Sequence, residues 1–322
     1  MNSEAKLFAS FSHEEQLKEL LNDSTFSNIP KLILGGGSNI LFTKNVDGLV
    51  LKNELKGISL LKEDLDFYYV RAAAGEVWHD LVLHCIQNNY SGLENLSLIP
   101  GNVGASPMQN IGAYGVEIKD SFQELQAIHI QEKYTRTFSK EECRFGYRES
   151  VFKRELKDQY IITSVTYRLQ KKPFYKISYG AIERQLEHMG VKELSIRAIS
   201  DAVCAIRSSK LPDPKVIGNA GSFFKNPQIS QKRFKKLQSS FPGIIGYFLE
   251  NGDVKLAAGW LIEQCGFKGV RRGDAGCHDR QALVLVNHGN ASGNEIYNLS
   301  EEIVKSVKEK FGVVLQREVN II

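Results

Sequence analysis

Residues 99–115 read Ile99-Pro100-Gly101-Asn102-Val103-Gly104-Ala105-Ser106-Pro107-Met108-Gln109-Asn110-Ile111-Gly112-Ala113-Tyr114-Gly115, with four glycines and two prolines. This composition excludes a regular helix or strand. No charged residue lies between Asn95 and Val116. Loops longer than about 12–15 residues inside a compact domain are usually functional. An uncharged loop rich in glycine, amide and hydroxyl groups suits a large, flat polar ring such as a flavin; the alternative is a surface loop that packs on its own side chains.

A second glycine-rich segment, Gly35-Gly36-Gly37-Ser38-Asn39, lies between two apolar runs. Glycine lets the backbone approach a phosphate and direct N–H groups at it. The Rossmann and P-loop fingerprints both require a helix directly after the glycines, whereas Ile40-Leu41-Phe42 continues as a strand, so both are excluded. A nucleotide site and a simple tight turn remain open.

The periodicity of apolar residues predicts a mixed α+β chain in two or three lobes. A border is expected at Lys210-Leu211-Pro212-Asp213-Pro214, because proline ends regular elements. The predicted helices cover residues 14–21, 77–86, 196–207, 230–239, 256–265 and 292–312. The predicted strands cover residues 31–34, 40–42, 48–51, 67–74, 125–130, 160–169, 282–286 and 313–315.

Composition limits the class of partner. The chain has 322 residues, and 41 Lys and Arg against 37 Asp and Glu give a net charge of +4, which does not favour nucleic acid. No apolar run approaches the length of a membrane span, and the first residues lack a signal-peptide pattern. We therefore expect a cytoplasmic protein without a nucleic-acid or membrane partner. A monomer is also expected, although composition does not determine the oligomeric state.

The five cysteines, at 85, 143, 204, 265 and 277, are widely spaced and include no Cys-x-x-Cys pair. This pattern predicts reduced, mostly buried thiols. Cys277-His278 has no further ligand pair at zinc-site spacing, so no metal is expected.

Several blocks resemble the UDP-N-acetylenolpyruvoylglucosamine reductase family of bacterial flavoenzymes, in order from about Lys6 to Glu318. The blocks are Leu34-Gly35-Gly36-Gly37-Ser38-Asn39, the two parts of the 99–115 loop, Cys143-Arg144-Phe145-Gly146-Tyr147-Arg148 and Gly221-Ser222-Phe223-Phe224-Lys225-Asn226-Pro227. The resemblance implies a two-lobed FAD-binding fold of the vanillyl-alcohol-oxidase (PCMH) type plus a third α+β substrate-binding domain. The implied bounds are 1–55 with 313–322 for the first FAD lobe, 56–211 for the second and 212–312 for the substrate domain.

The resemblance also implies an activity: NADPH-dependent reduction of UDP-N-acetylglucosamine enolpyruvate to UDP-N-acetylmuramate through FAD, for peptidoglycan synthesis. Arg148 would hold the substrate carboxylate, Ser222 would donate the proton, and Glu318 would act with Arg148 on the enolate-like intermediate. Substrate contacts are implied for Tyr179, Lys210 and Asn226. The implied FAD-binding residues are Gly35, Gly36, Gly37, Ser38, Asn39, Ile99, Pro100, Gly101, Gly104, Ala105, Ser106, Gln109, Asn110, Gly112, Ala113, Tyr114 and Gly115.

The chain departs from the family pattern at Gln316 and Arg317, where the family usually has Glu and Pro. We expect Arg317 to compete as a partner of Glu318. The family usually has about a dozen further residues at the start, which bears on flavin affinity.

A flavin oxidase would often carry His or Cys in these glycine-rich loops, and neither loop has one. A flavin- or nucleotide-sugar-binding homologue without catalysis remains open. The leading hypothesis requires that the two glycine-rich segments meet around one flavin.

Overall fold

The structure is a computed structural model, and it describes residues 3–179 and 181–322. The helices are α1 Glu14–Asn22, α2 Trp78–Gln87, α3 Ile182–His188, α4 Ile196–Lys210, α5 Gln231–Ser240, α6 Ala258–Gln264 and α7 Gly293–Phe311. The strands are β1 Ala5–Phe11, β2 Lys31–Leu34, β3 Ile40–Leu41, β4 Val46–Asn53, β5 Ile58–Glu63, β6 Phe67–Ala73, β7 Gly112–Ala113, β8 Val116–Glu117, β9 Phe122–His129, β10 Thr135–Ser139, β11 Tyr160–Gln170, β12 Gly218–Ser222, β13 Gln228–Ser230, β14 Gly246–Phe248, β15 Asp253–Leu256, β16 Arg271–Arg272, β17 Ala275–Cys277, β18 Val284–Asn287 and β19 Asn320–Ile321.

The chain forms two compact units, and the N-terminal unit comprises Ala5–Gly37 and Val46–Ser209. It contains a parallel sheet in the order β1-β4-β2 and an antiparallel sheet in the order β10-β9-β11-β6-β5. The central strand β11 pairs on both sides, and it is buried along most of its length because its side chains enter two clusters, Ile161 in one and Ile162, Val165 and Tyr167 in the other. The amphipathic helix α2 buries Trp78 and Leu81 in the same core.

The C-terminal unit comprises Ser38–Asn45 and Lys210–Ile322, together with Ser3 and Glu4. Its sheets run in the orders β12-β18-β17-β16 and β13-β15-β14, and β19 pairs in parallel with β3. Helix α7 starts with a reciprocal capping box between Ser292 and Glu295 and ends at the left-handed Gly312. Its buried face packs with α6 into the core of this unit.

Most of the predicted elements are present within about two residues of their expected bounds. The predicted strand at 313–315 is wrong. Val313 and Leu315 are buried while Val314 is exposed, so the alternation is that of a strand, but no strand among the described residues pairs with it. The predicted border at the two prolines lies next to the start of the segment Lys210–Ile322, and the division into three lobes stays a prediction. No helix in the described part of the chain is long and apolar enough to cross a membrane.

Candidate active site

The two glycine-rich segments meet in the N-terminal unit. A Cβ atom added to Gly36 would lie 2.6 Å from Asn102 Oδ1 and 3.2 Å from Gly101 Cα. Only a residue without a side chain allows the backbones to come this close. The N–H groups of Gly36 and Gly37 have no acceptor within residues 3–179 and 181–322, and both residues are exposed. The arrangement leaves backbone donors available to an anionic or polar ligand.

The first part of the 99–115 loop is fixed on the turn between β6 and α2. Asn102 Nδ2 donates to the carbonyl of Gly75 (2.8 Å), and the Gly104 N–H donates to the carbonyl of Ala74 (2.9 Å). A Cβ at Gly104 would lie 2.7 Å from Ala74 Cβ, so this contact also requires glycine. The position of Gly101 and Asn102 beside Gly36 is therefore held by the body of the unit.

Two side chains of the loop, Ser106 and Asn110, are buried and hydrogen-bonded within the protein. Ser106 Oγ donates to the carbonyl of Val103 (2.7 Å) and lies 2.8 Å from the Tyr167 hydroxyl. Asn110 Nδ2 donates to the carbonyl of Gly146 (2.9 Å), which ties the loop to the turn that carries Arg148. These side chains shape the loop, and their contact with a ligand stays a prediction.

Arg148 lies against the end of the same loop. Its guanidinium donates to the carbonyls of Gly112 and Asn110, the latter at 3.4 Å, and Nη1 lies 3.9 Å from Glu117 Oε1. The Arg148 side chain is 18% exposed, and its backbone is left-handed with a φ of 54°. A partly buried guanidinium beside an uncharged loop can bind a carboxylate through a planar fork.

Tyr179 also lies at this loop. A Cβ at Gly115 would be 3.2 Å from Tyr179 Cβ. The buried Asn95 connects the two segments, because its Nδ2 donates both to the carbonyl of Tyr114 (3.1 Å) and to the carbonyl of Lys176 (2.7 Å). The position of the segment that leads to Tyr179 is thus coupled to the glycine-rich loop by one amide group.

In the C-terminal unit, Ser222 and Glu318 lie on paired backbone segments. The Glu318 N–H donates to the carbonyl of Phe223 (2.9 Å), and the Lys225 N–H donates to the carbonyl of Gln316 (2.8 Å). Ser222 is exposed at the end of β12, while Phe223 is buried. The structure therefore brings the backbones of Ser222 and Glu318 to one place, and Ser222 is an exposed residue there.

Three other predicted site residues have defined positions in the C-terminal unit. Asn39 Nδ2 donates to the carbonyl of Glu318 (3.3 Å), so the last residue of the 35–39 segment supports the backbone of Glu318. Asn226 Oδ1 accepts the N–H of Ala258 (2.9 Å) at the start of α6. Lys210 is exposed at the last position of α4.

Arg317 does not compete for Glu318 as expected. Its Nη2 donates to Glu301 Oε1 (2.6 Å) and its Nε donates to Ser300 Oγ (2.8 Å). The guanidinium is therefore directed at α7. The expectation failed because the sequence places Arg317 next to Glu318 but does not reveal which helix its side chain faces.

The described residues contain no group of three or more His, Cys, Asp or Glu side chains that could hold a metal ion. All five cysteines are free thiols. Burial raises the pKa of both Cys143 and Cys277 to about 12, and it also raises the pKa of Cys85. These three thiols are unsuited to nucleophilic or redox roles at neutral pH.

Comparisons with known proteins identify the family of the chain. Residues 213–322 match the family model described as UDP-N-acetylenolpyruvoylglucosamine reductase, C-terminal domain, and residues 5–137 match the FAD binding domain. UDP-N-acetylenolpyruvoylglucosamine reductases from Flavobacterium johnsoniae and Amoebophilus asiaticus are 53% and 51% identical to this chain, covering 100% and 99% of it and 95% and 94% of the relatives. The chain belongs to the UDP-N-acetylenolpyruvoylglucosamine reductase family. A crystal structure of the enzyme from Thermus caldophilus has a TM-score of 0.65 at 25% identity, covering 98% of this chain and 91% of that one.

Membership of the UDP-N-acetylenolpyruvoylglucosamine reductase family confirms three predictions made from the sequence. The FAD-binding fold of the PCMH type with a further C-terminal domain is confirmed, as is the prediction that the chain is an oxidoreductase. The FAD binding domain confirms FAD as the cofactor. The roles of individual site residues stay predictions.

Sequence reasoning missed two residues that organise the site. The sequence places Asn102 in the 99–115 loop but does not indicate that its side chain lies beside Gly36. Its position directly after Pro100-Gly101 in a glycine-rich loop was a usable signal. No sequence pattern marks Asn95 as a residue of the site. Its side chain bonds to two backbone carbonyls, which every residue has, and one of them is 81 residues away.

Proposed function

We propose that the chain reduces UDP-N-acetylglucosamine enolpyruvate to UDP-N-acetylmuramate in peptidoglycan precursor synthesis, with NADPH as the reductant. The observation that supports this most directly is the contact between Gly36 and Gly101, with Arg148 bonded to the end of the same loop. This places an uncharged backbone surface and a guanidinium in one unit, as an enolpyruvyl carboxylate next to a flavin requires.

The residues present fit FAD. Gly36 and Gly37 offer N–H groups without protein acceptors among the described residues, which suits an anionic or polar part of the cofactor. The uncharged 99–115 loop, from Ile99 and Pro100 to Ala113 and Gly115, suits the ring system. When bound, FAD carries the hydride that NADPH supplies to the double bond of the enolpyruvyl group.

Arg148 is proposed to hold the substrate carboxylate while negative charge develops on the neighbouring carbon. A guanidinium stays protonated throughout the accessible pH range and binds a carboxylate through two parallel hydrogen bonds. The carbonyls of Gly112 and Asn110 orient the group before substrate arrives, so little reorganisation is needed in the transition state.

Ser222 is proposed to donate the proton that completes the reduction, with Glu318 acting together with Arg148 on the enolate-like intermediate. A hydroxyl group is a weak acid, but it can protonate a strongly basic carbanion. The exposed position of Ser222 and the backbone bond from Glu318 to Phe223 support these roles. Tyr179, Lys210 and Asn226 are proposed to contact the substrate.

The test separates the two half-reactions by anaerobic absorbance measurements. NADPH should bleach the bound flavin, and the enolpyruvyl sugar nucleotide should restore its colour. In Ser222→Ala we expect bleaching at the wild-type rate and a recovery slower by at least about a hundredfold, the usual contribution of general acid catalysis. Ser239→Ala, which alters an exposed serine on α5, is the control.

Two results would contradict the proposal. Equal damage to both half-reactions in Ser222→Ala would exclude the proton-donor role. A wild-type protein that binds flavin but does not return electrons to the sugar nucleotide would favour a binding homologue without this activity.

A further inference from the structure

We propose that Arg317 is a positioning residue that fixes the backbone of Glu318 by anchoring it to α7. The inference rests on the proposed function, because it concerns the role of Glu318 in the same reaction. Arg317 itself has no place in the proposed chemistry. Its side chain acts through the residue that follows it in the chain.

Three groups on one face of α7 hold the guanidinium. Glu301 accepts from Nη2 at 2.6 Å, Ser300 accepts from Nε at 2.8 Å, and the ring of Tyr297 lies 4.6 Å from the Arg317 Cζ atom. Residues at i, i+3 and i+4 share one side of a helix, so a single planar group can contact all three. Hydrogen bonds from Tyr297 and Arg317 hold the pKa of Glu301 below its usual range, so this partner is charged at neutral pH.

The backbone of Arg317 lies next to the segment that follows Ser222. It forms an isolated antiparallel bridge with Phe224, and the next residue, Glu318, donates its N–H to Phe223. No regular strand pairing occurs between Gly312 and β19 within the described chain. The short bridge therefore has little support from a sheet, and the side-chain anchor supplies support at the residue adjacent to Glu318.

The chemistry of the anchor favours arginine over lysine. The guanidinium donates through Nε and Nη2 at once and stacks on an aromatic ring, whereas a lysine ammonium group is a point donor on a flexible stem. The ion pair with Glu301 also keeps the positive charge of Arg317 directed away from Glu318. A cation directed to Glu318 would instead pair with the carboxylate that the proposed reaction uses.

The test measures both half-reactions in Arg317→Ala, Arg317→Lys and Glu301→Gln. Arg317→Ala should slow flavin reoxidation by saturating UDP-N-acetylglucosamine enolpyruvate by about tenfold or more, since a displaced catalytic group is costly to the chemical step. Flavin reduction by NADPH should stay within about twofold of wild type. Arg317→Lys should recover only part of the loss, and Glu301→Gln should act in the same direction as Arg317→Ala with a smaller effect.

Matched variants distinguish positioning from a general loss of structure. Glu302→Gln, the adjacent acid on α7 that pairs with Arg272, should change neither half-reaction. Arg317→Ala combined with Glu301→Gln should be no worse than Arg317→Ala alone, because both changes remove one anchor. Glu301 is half-exposed, so Glu301→Gln remains informative if Arg317→Ala does not fold.

The variant Glu318→Gln separates this inference from the proposed function. If Glu318→Gln leaves reoxidation unchanged, the proposed role of Glu318 is wrong. If Glu318→Gln slows reoxidation while Arg317→Ala and Glu301→Gln do not, the positioning role of Arg317 is overturned. Equal slowing of both half-reactions in Arg317→Ala would also overturn it, because it would indicate a purely structural effect.

Discussion

Replacing Gly36 by alanine tests the contact between the two glycine-rich segments. The new Cβ would lie 2.6 Å from Asn102 Oδ1, whereas ordinary contacts begin at 3.4 Å, so the amide oxygen must move by about 0.8 Å. Asn102 cannot move freely, because its Nδ2 donates to the carbonyl of Gly75 at 2.8 Å. The substitution therefore sets the new methyl group against an existing hydrogen bond.

The expected cost is about 2 kcal/mol. Loss of one intramolecular hydrogen bond contributes about 1 kcal/mol, and an off-rotamer asparagine contributes about 1 kcal/mol. If the strain is relieved when the loop opens, FAD affinity should fall by roughly thirtyfold, since about 1.4 kcal/mol corresponds to a factor of ten. If the strain persists without FAD, the free energy of unfolding of Gly36→Ala should be lower than that of the wild type by the same amount.

The assay is titration of the apoprotein with FAD, followed by flavin absorbance, together with urea unfolding of the same samples. Asn102→Ala is the critical companion, because it removes both the obstructing oxygen and the hydrogen bond. Gly36→Ala in the Asn102→Ala background should then cost far less than in wild type. Wild-type affinity and stability in Gly36→Ala, or full additivity in the double variant, would refute the steric explanation.

Three further predictions follow from the site. Arg148→Lys keeps the charge but loses the planar fork, and kcat/KM for the sugar nucleotide should fall by about tenfold or more, with flavin reduction by NADPH unchanged in stopped-flow absorbance. Asn95→Ala removes the amide that joins two carbonyls, and it should raise the KM for the sugar nucleotide more than that for NADPH in steady-state kinetics; equal changes in both would contradict the coupling to Tyr179. Alkylation by iodoacetamide at neutral pH, followed by mass spectrometry, should modify three thiols only after unfolding, because burial raises their pKa values: Cys85, Cys143 and Cys277.

The sequence predicted that the two glycine-rich segments meet, and Gly36 does lie beside Gly101 and Asn102. A glycine in such a run indicates a backbone that another group approaches closely, but the sequence did not identify Asn102 beside Gly36 or Ala74 beside Gly104. Long elements such as β11 and α7 were predictable as well, because they carry a sustained apolar pattern and, at Ser292, a capping signal.

Contacts that depend on tertiary placement were not predictable. The partner of Arg317 is set by which face of α7 passes nearby, so the adjacent Glu318 was the natural but wrong choice. The segment 313–315 alternates as a strand does, yet a strand also needs a neighbour, and the pattern of one segment contains no information about that. Helix α3 and strands β16 and β17 were missed because elements of seven, two and three residues are too short to show a period.

Several non-glycine residues in and around the 99–115 loop have a strained, left-handed backbone that glycine adopts without strain. Leu98, Asn110, Tyr114 and Arg148 all have left-handed φ values, between 43° and 57°. Such conformations in non-glycine residues store strain that the surrounding structure must offset. At Arg148 the strained backbone and the guanidinium come together, so a change to glycine that relieved the strain would also remove the arginine on which the proposed reaction depends.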